Sequence, residues 1–250
     1  MDLTEPQAIA GPAYGTVQVW QMRCSALQRA RSQWQAWLSP DECQRLTQYH
    51  RLRDRDRFLC SRGGLRYLLA SYLQQSPTDI QLTYGTQGRP ALANPAAALH
   101  FNVAHSGDWV IWAFSHSPQV GVDVEVLKPR RRLQALIQKC LTPEERLALS
   151  GPPATQLNRF LAMWTVKEAH LKAIGLGLSY PLQKVQVAIE PEPAIVYPAV
   201  CSTSAATAWQ VKLWQPDNTA IAAVCVGQSP CSFEFFDLAT ASAESASRPS

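Results

Sequence analysis

The sequence has none of the short motifs that mark three common classes of enzyme. Its 250 residues contain no Walker loop, no GxGxxG after a strand, no HExxH and no GxSxG. Such motifs hold phosphates, dinucleotides, zinc and a nucleophilic serine, respectively. Their absence argues against nucleotide hydrolysis through a P-loop, hydride transfer and serine hydrolysis.

Paired cysteines and long apolar stretches are missing as well. The seven cysteines form no CxxC pair and their number is odd, so we expect reduced thiols in a cytoplasmic protein, not a disulfide framework or a zinc site. The longest apolar runs, such as Ile221 to Val226, are too short to cross a bilayer. The amino terminus lacks the basic start and apolar core of a secretory signal, and we expect no membrane partner.

The charge of the chain argues against one partner and favours others. The formal net charge is only +4, and without a continuous basic stripe it does not predict nucleic-acid binding. It fits a polyanionic small molecule or an acidic protein partner. With 46% hydrophobic residues, a chain of this length can form one large domain or two small domains with genuine cores.

The segment from Gly121 to Glu125 (GVDVE) carries the first functional pattern. Valines alternate with Gly121, Asp123 and Glu125, so in a strand the valines are buried and both carboxylates share the other face. At about 3.3 Å per residue the carboxylates start roughly 7 Å apart, close enough to converge on one hard cation. Taken alone, such a pair is also typical of the solvated face of a half-exposed strand.

The segment from Trp164 to Lys172 (WTVKEAHLK) is predicted to be helical and supplies a third carboxylate, Glu168. Lys172 lies one turn further on, and in isolation this pair would be an ordinary exposed ion pair. Together, the three acids and the lysine indicate magnesium-assisted chemistry on a phosphate.

Other basic residues are candidates for anion binding. His105 lies in a strand–turn–strand segment and could donate to a phosphate, although a structural turn histidine is nearly as well supported. Arg89 lies in a Gly-Arg-Pro loop that either presents a guanidinium to an anion or forms an ordinary turn. Of the seven arginines from Arg45 to Arg66, most fit a solvated helix, while one or two could bind phosphate.

A faint internal repeat predicts how the chain is organised. Segments 57–59 and 159–161 (both RFL) each open a helical run that is followed by an alternating, strand-like segment. We therefore predict an α+β fold of two similar halves, an N-terminal half over 1–118 and a C-terminal half over 119–228. Residues 229–250, rich in Ala, Ser and Glu, are expected to be a disordered tail. Thr142, with Glu145 three residues later, predicts a capped short helix.

Together these motifs resemble those of the surfactin-synthetase-activating (Sfp-type) 4′-phosphopantetheinyl transferases. The likeness runs from about Ser39 to Val226, with the motifs in the family's order and at similar gaps. The matching segments are 88–90 (GRP), 101–106 (FNVAHS), 121–125 (GVDVE) and 164–175 (WxxKExxxKxxG). This resemblance implies a pseudo-two-fold monomer with the active site in the cleft between its halves.

The resemblance also implies a reaction: transfer of the phosphopantetheine arm of coenzyme A to a serine of an apo acyl or peptidyl carrier protein, with release of 3′,5′-ADP. By position, Asp123, Glu125 and Glu168 would bind Mg²⁺, or Mn²⁺, in the C-terminal half, which would also meet the carrier. Glu168, its pKa lowered by the cation, would remove the serine proton. Lys172 would steady the charge on the phosphates.

The N-terminal half is implied to bind coenzyme A. His105 matches a phosphate-contacting histidine, Arg89 would lie near the adenine nucleotide, and Arg45 and Arg57 would lie near the 3′-phosphate. Ala104 stands where the family usually has serine, so a hydroxyl contact to coenzyme A is lost there, although a backbone contact could survive.

Two rival functions stay open from the sequence. A Mg²⁺-dependent nuclease or phosphodiesterase also uses acids and a lysine on phosphates, and it predicts cleavage of nucleic acid. A binding module for coenzyme A or carrier proteins predicts binding without turnover, against which the complete set of acids argues. The basic segment from Lys128 to Arg132 offers a docking surface for an acidic carrier protein.

Overall fold

The computed structural model describes residues 3–85, 88–94, 98–177, 180–197, 208–227 and 230–240. Its α-helices are α1 (Arg31–Ala36), α2 (Pro40–Thr47), α3 (Leu52–Leu73), α4 (Leu133–Cys140), α5 (Pro143–Leu147) and α6 (Pro153–Ile174). Its strands are β1 (Thr16–Arg23), β2 (Leu82–Tyr84), β3 (Pro90–Leu92), β4 (His100–Ser106), β5 (Trp109–Ser115), β6 (Val120–Val126), β7 (Gln186–Ala188), β8 (Ala194–Tyr197), β9 (Gln210–Asp217), β10 (Ala220–Val226) and β11 (Ser232–Asp237). Short 3₁₀ helices lie at Cys24–Arg29 and Leu182–Lys184.

Two larger sheets form the centre of the molecule. The first has the order β11-β1-β5-β4, with β11 parallel to β1 and the other neighbours antiparallel. The second has the order β6-β10-β9 and is antiparallel throughout. The pairs β2-β3 and β7-β8 form two small separate ribbons.

The sheets and the two longest helices form four layers, helix on sheet on sheet on helix. The inner faces of the two sheets meet through small and β-branched side chains, among them Val17, Ile111, Val122 and Val224. Helix α3 shares a core with the outer face of the first sheet, and α6 shares one with the outer face of the second. Each sheet thus packs against one 22-residue helix, and the predicted α+β fold of two similar halves is confirmed.

Helices α3 and α6 both have 22 residues and begin earlier than the sequence predicted. The predicted starts were Arg57 and Arg159, whereas α3 begins at Leu52 and α6 at Pro153. Their first turns are polar or exposed and therefore carry little apolar periodicity. Helix α6 ends at Ile174 and is capped by Gly175, whose φ of 75° is left-handed and favours glycine.

Each long helix is preceded by a short helix with the same start. Ser39 caps α2 and Thr142 caps α5, each with a proline in the first turn. In both, the hydroxyl accepts a hydrogen bond from the N3 amide, and the N3 carboxylate, Glu42 or Glu145, accepts one from the cap residue's amide. The capped helix predicted at Thr142 is confirmed.

The prediction of a disordered tail over 229–250 is wrong for part of that segment. Ser232–Asp237 forms β11, which pairs with β1 at the edge of the first sheet. Phe233 packs between the two sheets and Phe236 packs on the opposite face, so aromatic residues on both faces of β11 anchor it. Residues 241–250 lie outside the described residues. Composition alone hid this short strand because Ala and Ser dominate the neighbouring C-terminal residues.

Among the residues that the structure describes, no helix combines the length and apolar character that a membrane span requires.

Candidate active site

A pocket of about 490 Å³ lies where the two halves of the chain meet. The first half contributes Ser61, Arg62, Gly88, Arg89, Pro90, Asn102, Val103 and His105, and the second contributes Asp123, Glu125, Trp164, Glu168, Lys172, Gly175 and Gly177. The pocket therefore gathers six residues that the sequence selected. The lining does not include Arg45, Arg57 or Ala104.

A close approach of α6 to β6 brings the acidic residues together. On Gly121, a Cβ atom would fall on the carbonyl oxygen of Ala169 and within 2.5 Å of the amide nitrogen of Ala173. Only glycine permits this contact, because the atoms in the way belong to the helix backbone. As predicted, the valines of β6 face the other way, into the core between the sheets.

Asp123 and Glu168 are both buried, with 8% and 3% of their surface exposed. Lys172 donates from Nζ to Asp123 Oδ1 at 2.6 Å and to the carbonyl of Val122 at 3.1 Å. The other oxygen of Asp123, Oδ2, and Oε1 of Glu168 are buried without a hydrogen-bond partner in the described structure. Buried acceptors without partners are costly, so these two oxygens fit ligands of a cation supplied from outside the chain.

The pKa values of these two carboxyl groups are raised. Burial raises the pKa of Asp123 to about 6, although Lys172 opposes the shift. Burial and the charge of Asp123 raise the pKa of Glu168 to about 7. The sequence led us to expect a lowered pKa at Glu168 beside a cation; within the chain alone, desolvation and repulsion between the carboxylates determine the opposite direction.

Glu125, like Asp123, has one carboxylate oxygen paired with a cationic side chain. Its Oε2 accepts hydrogen bonds from Ser106 Oγ at 3.1 Å and from Arg130 Nη2 at 2.7 Å. Within the described ranges, no three His, Cys, Asp or Glu side chains are placed so that they could hold a metal ion together. The three-acid metal site therefore stays a prediction; the buried carboxylate oxygens without a partner belong to Asp123 and Glu168.

Three basic residues of the first half, Arg62, Arg89 and His105, line the pocket. His105 lines the pocket, and its pKa is lowered to about 4 by desolvation and by the positive charges of Arg57 and Lys172. Arg62 was not selected from the sequence. Its guanidinium carbon lies 5.5 Å from the ring centroid of Tyr84. Its position four residues after the buried Phe58 was a signal, because such residues share a helix face.

Arg89 lines the pocket, but its guanidinium is engaged by backbone carbonyls. Nη1 donates to the carbonyl of Lys172 at 2.6 Å, and Nη2 donates to those of Phe101 and Val120 at 3.2 and 2.9 Å. These carbonyls belong to α6, β4 and β6, so Arg89 links the two halves. The resemblance placed this guanidinium near a nucleotide, which stays a prediction; its three carbonyl partners show that it is also a structural link.

The structure leaves three further sequence-selected residues outside the pocket lining. Arg45 is exposed on α2, with its guanidinium carbon 5.8 Å from the ring centroid of Phe58. Arg57 pairs with Asp54 at 2.9 Å and is close enough to lower the pKa of His105. The side chain of Ala104 is buried in the core between the sheets, so a contact from this position to a ligand would use the backbone.

Lys167, next to Glu168, has a role that the sequence did not reveal. It is fully buried, and its Nζ donates to Glu145 Oε2 at 2.6 Å and to the carbonyls of Cys140 and Leu182 at 2.9 and 3.1 Å. All three protons of the ammonium group are thus used inside the second half. These contacts of Lys167 with Glu145, Cys140 and Leu182, called the brace at Lys167 below, fix α6 at the residue before Glu168.

Comparison with known proteins agrees with this geometry. Residues 20–117 match the family described as 4′-phosphopantetheinyl transferase, N-terminal, and residues 119–225 match the 4′-phosphopantetheinyl transferase superfamily. The chain is 34% identical over 195 residues to 4′-phosphopantetheinyl transferase HetI of Nostoc sp., covering 76% of this chain and 79% of the relative.

Two more distant relatives point the same way. The chain is 32% identical to the phosphopantetheinyl transferase of Thraustochytrium sp., covering 72% of this chain and 68% of that protein. It is 28% identical to 4′-phosphopantetheinyl transferase Sfp of Bacillus subtilis, covering 66% of this chain and 72% of that protein. The chain belongs to the 4′-phosphopantetheinyl transferase superfamily, and the resemblance noted from its motifs is confirmed.

Proposed function

We propose that this protein transfers the 4′-phosphopantetheine moiety of coenzyme A to a serine of an apo acyl or peptidyl carrier protein and releases 3′,5′-ADP. One observation carries the proposal beyond family membership. Two buried, unpartnered carboxylate oxygens, Asp123 Oδ2 and Glu168 Oε1, lie in a pocket formed by both halves. Such a pair suits a divalent cation, Mg²⁺ or Mn²⁺, at the pyrophosphate of coenzyme A.

The cation site would be formed by Asp123 and Glu168, with Glu125 as a third ligand. When bound, the cation would neutralise charge on the pyrophosphate and so favour attack on it. Asp123 and Glu168 fit this role because they are buried acids without enough internal partners. Lys172, held by Asp123 at 2.6 Å, would add a fixed positive charge beside the phosphates.

Glu168 would take the proton of the carrier serine, directly or through a water molecule. A serine hydroxyl is a poor nucleophile at neutral pH and needs such a base. The brace at Lys167 holds the helix backbone at this residue, which keeps the carboxylate in a fixed place. A base held rigidly near its proton donor needs little rearrangement during the reaction.

The two sides of the pocket would divide the substrates between them. Residues 1–118 would bind coenzyme A, with Arg62 and His105 toward its phosphates and with Arg45 and Arg57 toward its 3′-phosphate. Guanidinium groups suit phosphate because their donors match its oxygens. Residues 119–228 would hold the cation and meet the carrier, whose acidic surface would face 128–132. We further propose that the protein acts as a cytoplasmic monomer.

The proposal is tested by mass spectrometry of carrier proteins. The protein is incubated with coenzyme A, Mg²⁺ and several apo carriers, and we expect at least one carrier to gain the mass of one phosphopantetheine arm. Glu168→Gln should abolish this gain while the circular dichroism spectrum stays unchanged. Glu144→Gln, which removes an exposed carboxylate from α5, is the matched control and should retain the parent rate.

Two results would contradict the proposal. One is a failure to modify any carrier while nucleic acid is cleaved, which would favour the phosphodiesterase alternative. The other is a Glu168→Gln variant that modifies carriers at the parent rate, which would remove Glu168 from the mechanism.

A further inference from the structure

Glu125, which lines the pocket, forms an ion pair with Arg130. Arg130 Nη2 lies 2.7 Å from Glu125 Oε2, and the side chains are 32% and 22% exposed. Arg130 belongs to the loop between β6 and α4, and this loop lies next to the strand that carries Asp123 and Glu125. Both partners can therefore exchange with solvent or with a ligand more readily than the buried acids can.

Ser106 also holds the Glu125 oxygen that pairs with Arg130, so Arg130 is not needed to position it. Ser106 Oγ donates to Glu125 Oε2 at 3.1 Å and accepts from the amide of Val126 at 3.3 Å. The hydroxyl is thus fixed to the strand and holds the carboxylate by itself. What Arg130 adds is mainly its positive charge.

That charge lies 2.7 Å from Glu125, an acid of the pocket lining that would bind a divalent cation. A guanidinium that neutralises a carboxylate removes one negative charge from the site and repels an incoming cation. Asp123 and Glu168 each keep a buried oxygen without a partner, whereas Oε2 of the more exposed Glu125 is shared by Ser106 and Arg130.

We infer that Arg130 caps Oε2 of Glu125 and lowers the affinity of the free protein for its divalent cation, so that Glu125 binds the cation more strongly once Arg130 moves away. This inference rests on the proposed function for the identity of the cation site. It follows that the cation is held weakly by the protein alone and more firmly once the phosphates of coenzyme A supply further oxygens. Arg130 is a positioning residue because it acts through Glu125.

The test measures Mn²⁺ binding to the full-length protein by electron paramagnetic resonance, without coenzyme A or carrier. We expect Arg130→Gln to lower the dissociation constant for Mn²⁺ about tenfold, the change that removal of one nearby repulsive charge would give. The matched control is Arg131→Gln, which removes the same charge from the adjacent residue. Arg131 is exposed and forms no ion pair with the residues that the structure describes, so its constant should stay within about twofold of the parent.

A second pair of variants separates the cap from a general charge effect. In a Glu125→Gln background, Arg130→Gln should change Mn²⁺ binding by less than about twofold, because the capped carboxylate is gone. The inference is overturned if Arg130→Gln binds Mn²⁺ no more tightly than the parent, if Arg131→Gln has the same effect, or if the gain persists without Glu125. A protein that modifies no carrier would refute the proposed function, whereas these titrations do not depend on turnover.

Discussion

In the first half of the molecule Arg66 on α3 binds Glu42 on α2, and in the second half Lys167 on α6 binds Glu145 on α5. Arg66 and Lys167 are both the fifteenth residue of a 22-residue helix, and both acids occupy N3 of a capping box. Each cation also donates to two carbonyls. Those of Arg66 are at 2.9 and 3.0 Å, and those of Lys167 are at 2.9 and 3.1 Å.

The two halves differ in the residue that stands beside this ion pair. Arg66 is followed by Tyr67, which is fully buried among apolar side chains, whereas Lys167 is followed by Glu168, with its unpartnered oxygen. The same kind of buried ion pair therefore lies next to a core residue, Tyr67, in the first half and next to the pocket residue Glu168 in the second. Buried ion pairs cost desolvation energy. In the second half, the pair Glu145–Lys167 holds α6 at Glu168 more firmly than the helix alone would.

The largest expected effect concerns the contact between each long helix and its sheet. In the second half Gly121 touches the backbone of α6, whereas in the first half a Cβ on Gly64 would meet only side chains, the nearest being Trp112 at 2.5 Å. Gly121→Ala should therefore cost more than about 3 kcal/mol or prevent folding, and Gly64→Ala should cost about 1–3 kcal/mol, because a ring can shift more easily than a helix backbone. Urea unfolding measures both.

The control for these substitutions is Gly11→Ala. Gly11 is exposed, and a Cβ there would meet nothing within 4 Å, so its urea midpoint should equal that of the parent. A Gly121→Ala protein that unfolds at the parent midpoint would show that β6 and α6 are not held as closely as the structure describes.

The next prediction compares the loss of the two buried ion pairs, Glu42–Arg66 and Glu145–Lys167. Glu42→Gln and Glu145→Gln should each lower the free energy of unfolding by about 3 kcal/mol, because each leaves a buried cation without its counter-charge. Only Glu145→Gln should also lower kcat for carrier modification, since only Lys167 adjoins Glu168. Both variants are assayed at a temperature at which circular dichroism shows them folded.

Rescue distinguishes positioning from a general loss of stability. If kcat falls because Glu168 is displaced, an osmolyte that restores the melting temperature of Glu145→Gln will leave kcat low. Equal losses of kcat in the two variants, or full recovery with the osmolyte, would mean that the brace at Lys167 has no special connection with the reaction.

The sequence predicted those parts of the fold that depend on neighbouring residues. The alternation in β6 gave the face of each valine, and the Thr142–Glu145 spacing gave the start of α5, because strand faces and capping boxes are set by local geometry. Strand β11 was missed because its partner, β1, lies at the other end of the chain: Thr16 and Ser232 are 216 residues apart. Pairing over such a distance leaves no local signal.

The site was predicted in its members but not in its internal contacts. Asp123, Glu168 and Lys172 were selected by their spacing, and all line the pocket. Which carboxylate oxygen accepts a bond from Arg130 and which oxygens remain without a partner is determined by tertiary packing alone. Arg62 had one signal, its spacing of four residues from Phe58, but the sequence does not show that this helix face lines a pocket.

The smallest expected effect concerns Arg89, which joins the two halves, and Arg62, which lies in one of them. Arg89→Lys should lower the free energy of unfolding by about 2 kcal/mol, because an ammonium group cannot reach three carbonyls on β4, β6 and α6 as the planar guanidinium does. Arg62→Lys should leave stability within about 0.5 kcal/mol of the parent and instead raise KM for coenzyme A. Urea unfolding and steady-state kinetics on both variants decide between a link and a ligand contact: a stable Arg89→Lys protein with a raised KM would restore Arg89 to the nucleotide site that the sequence had suggested.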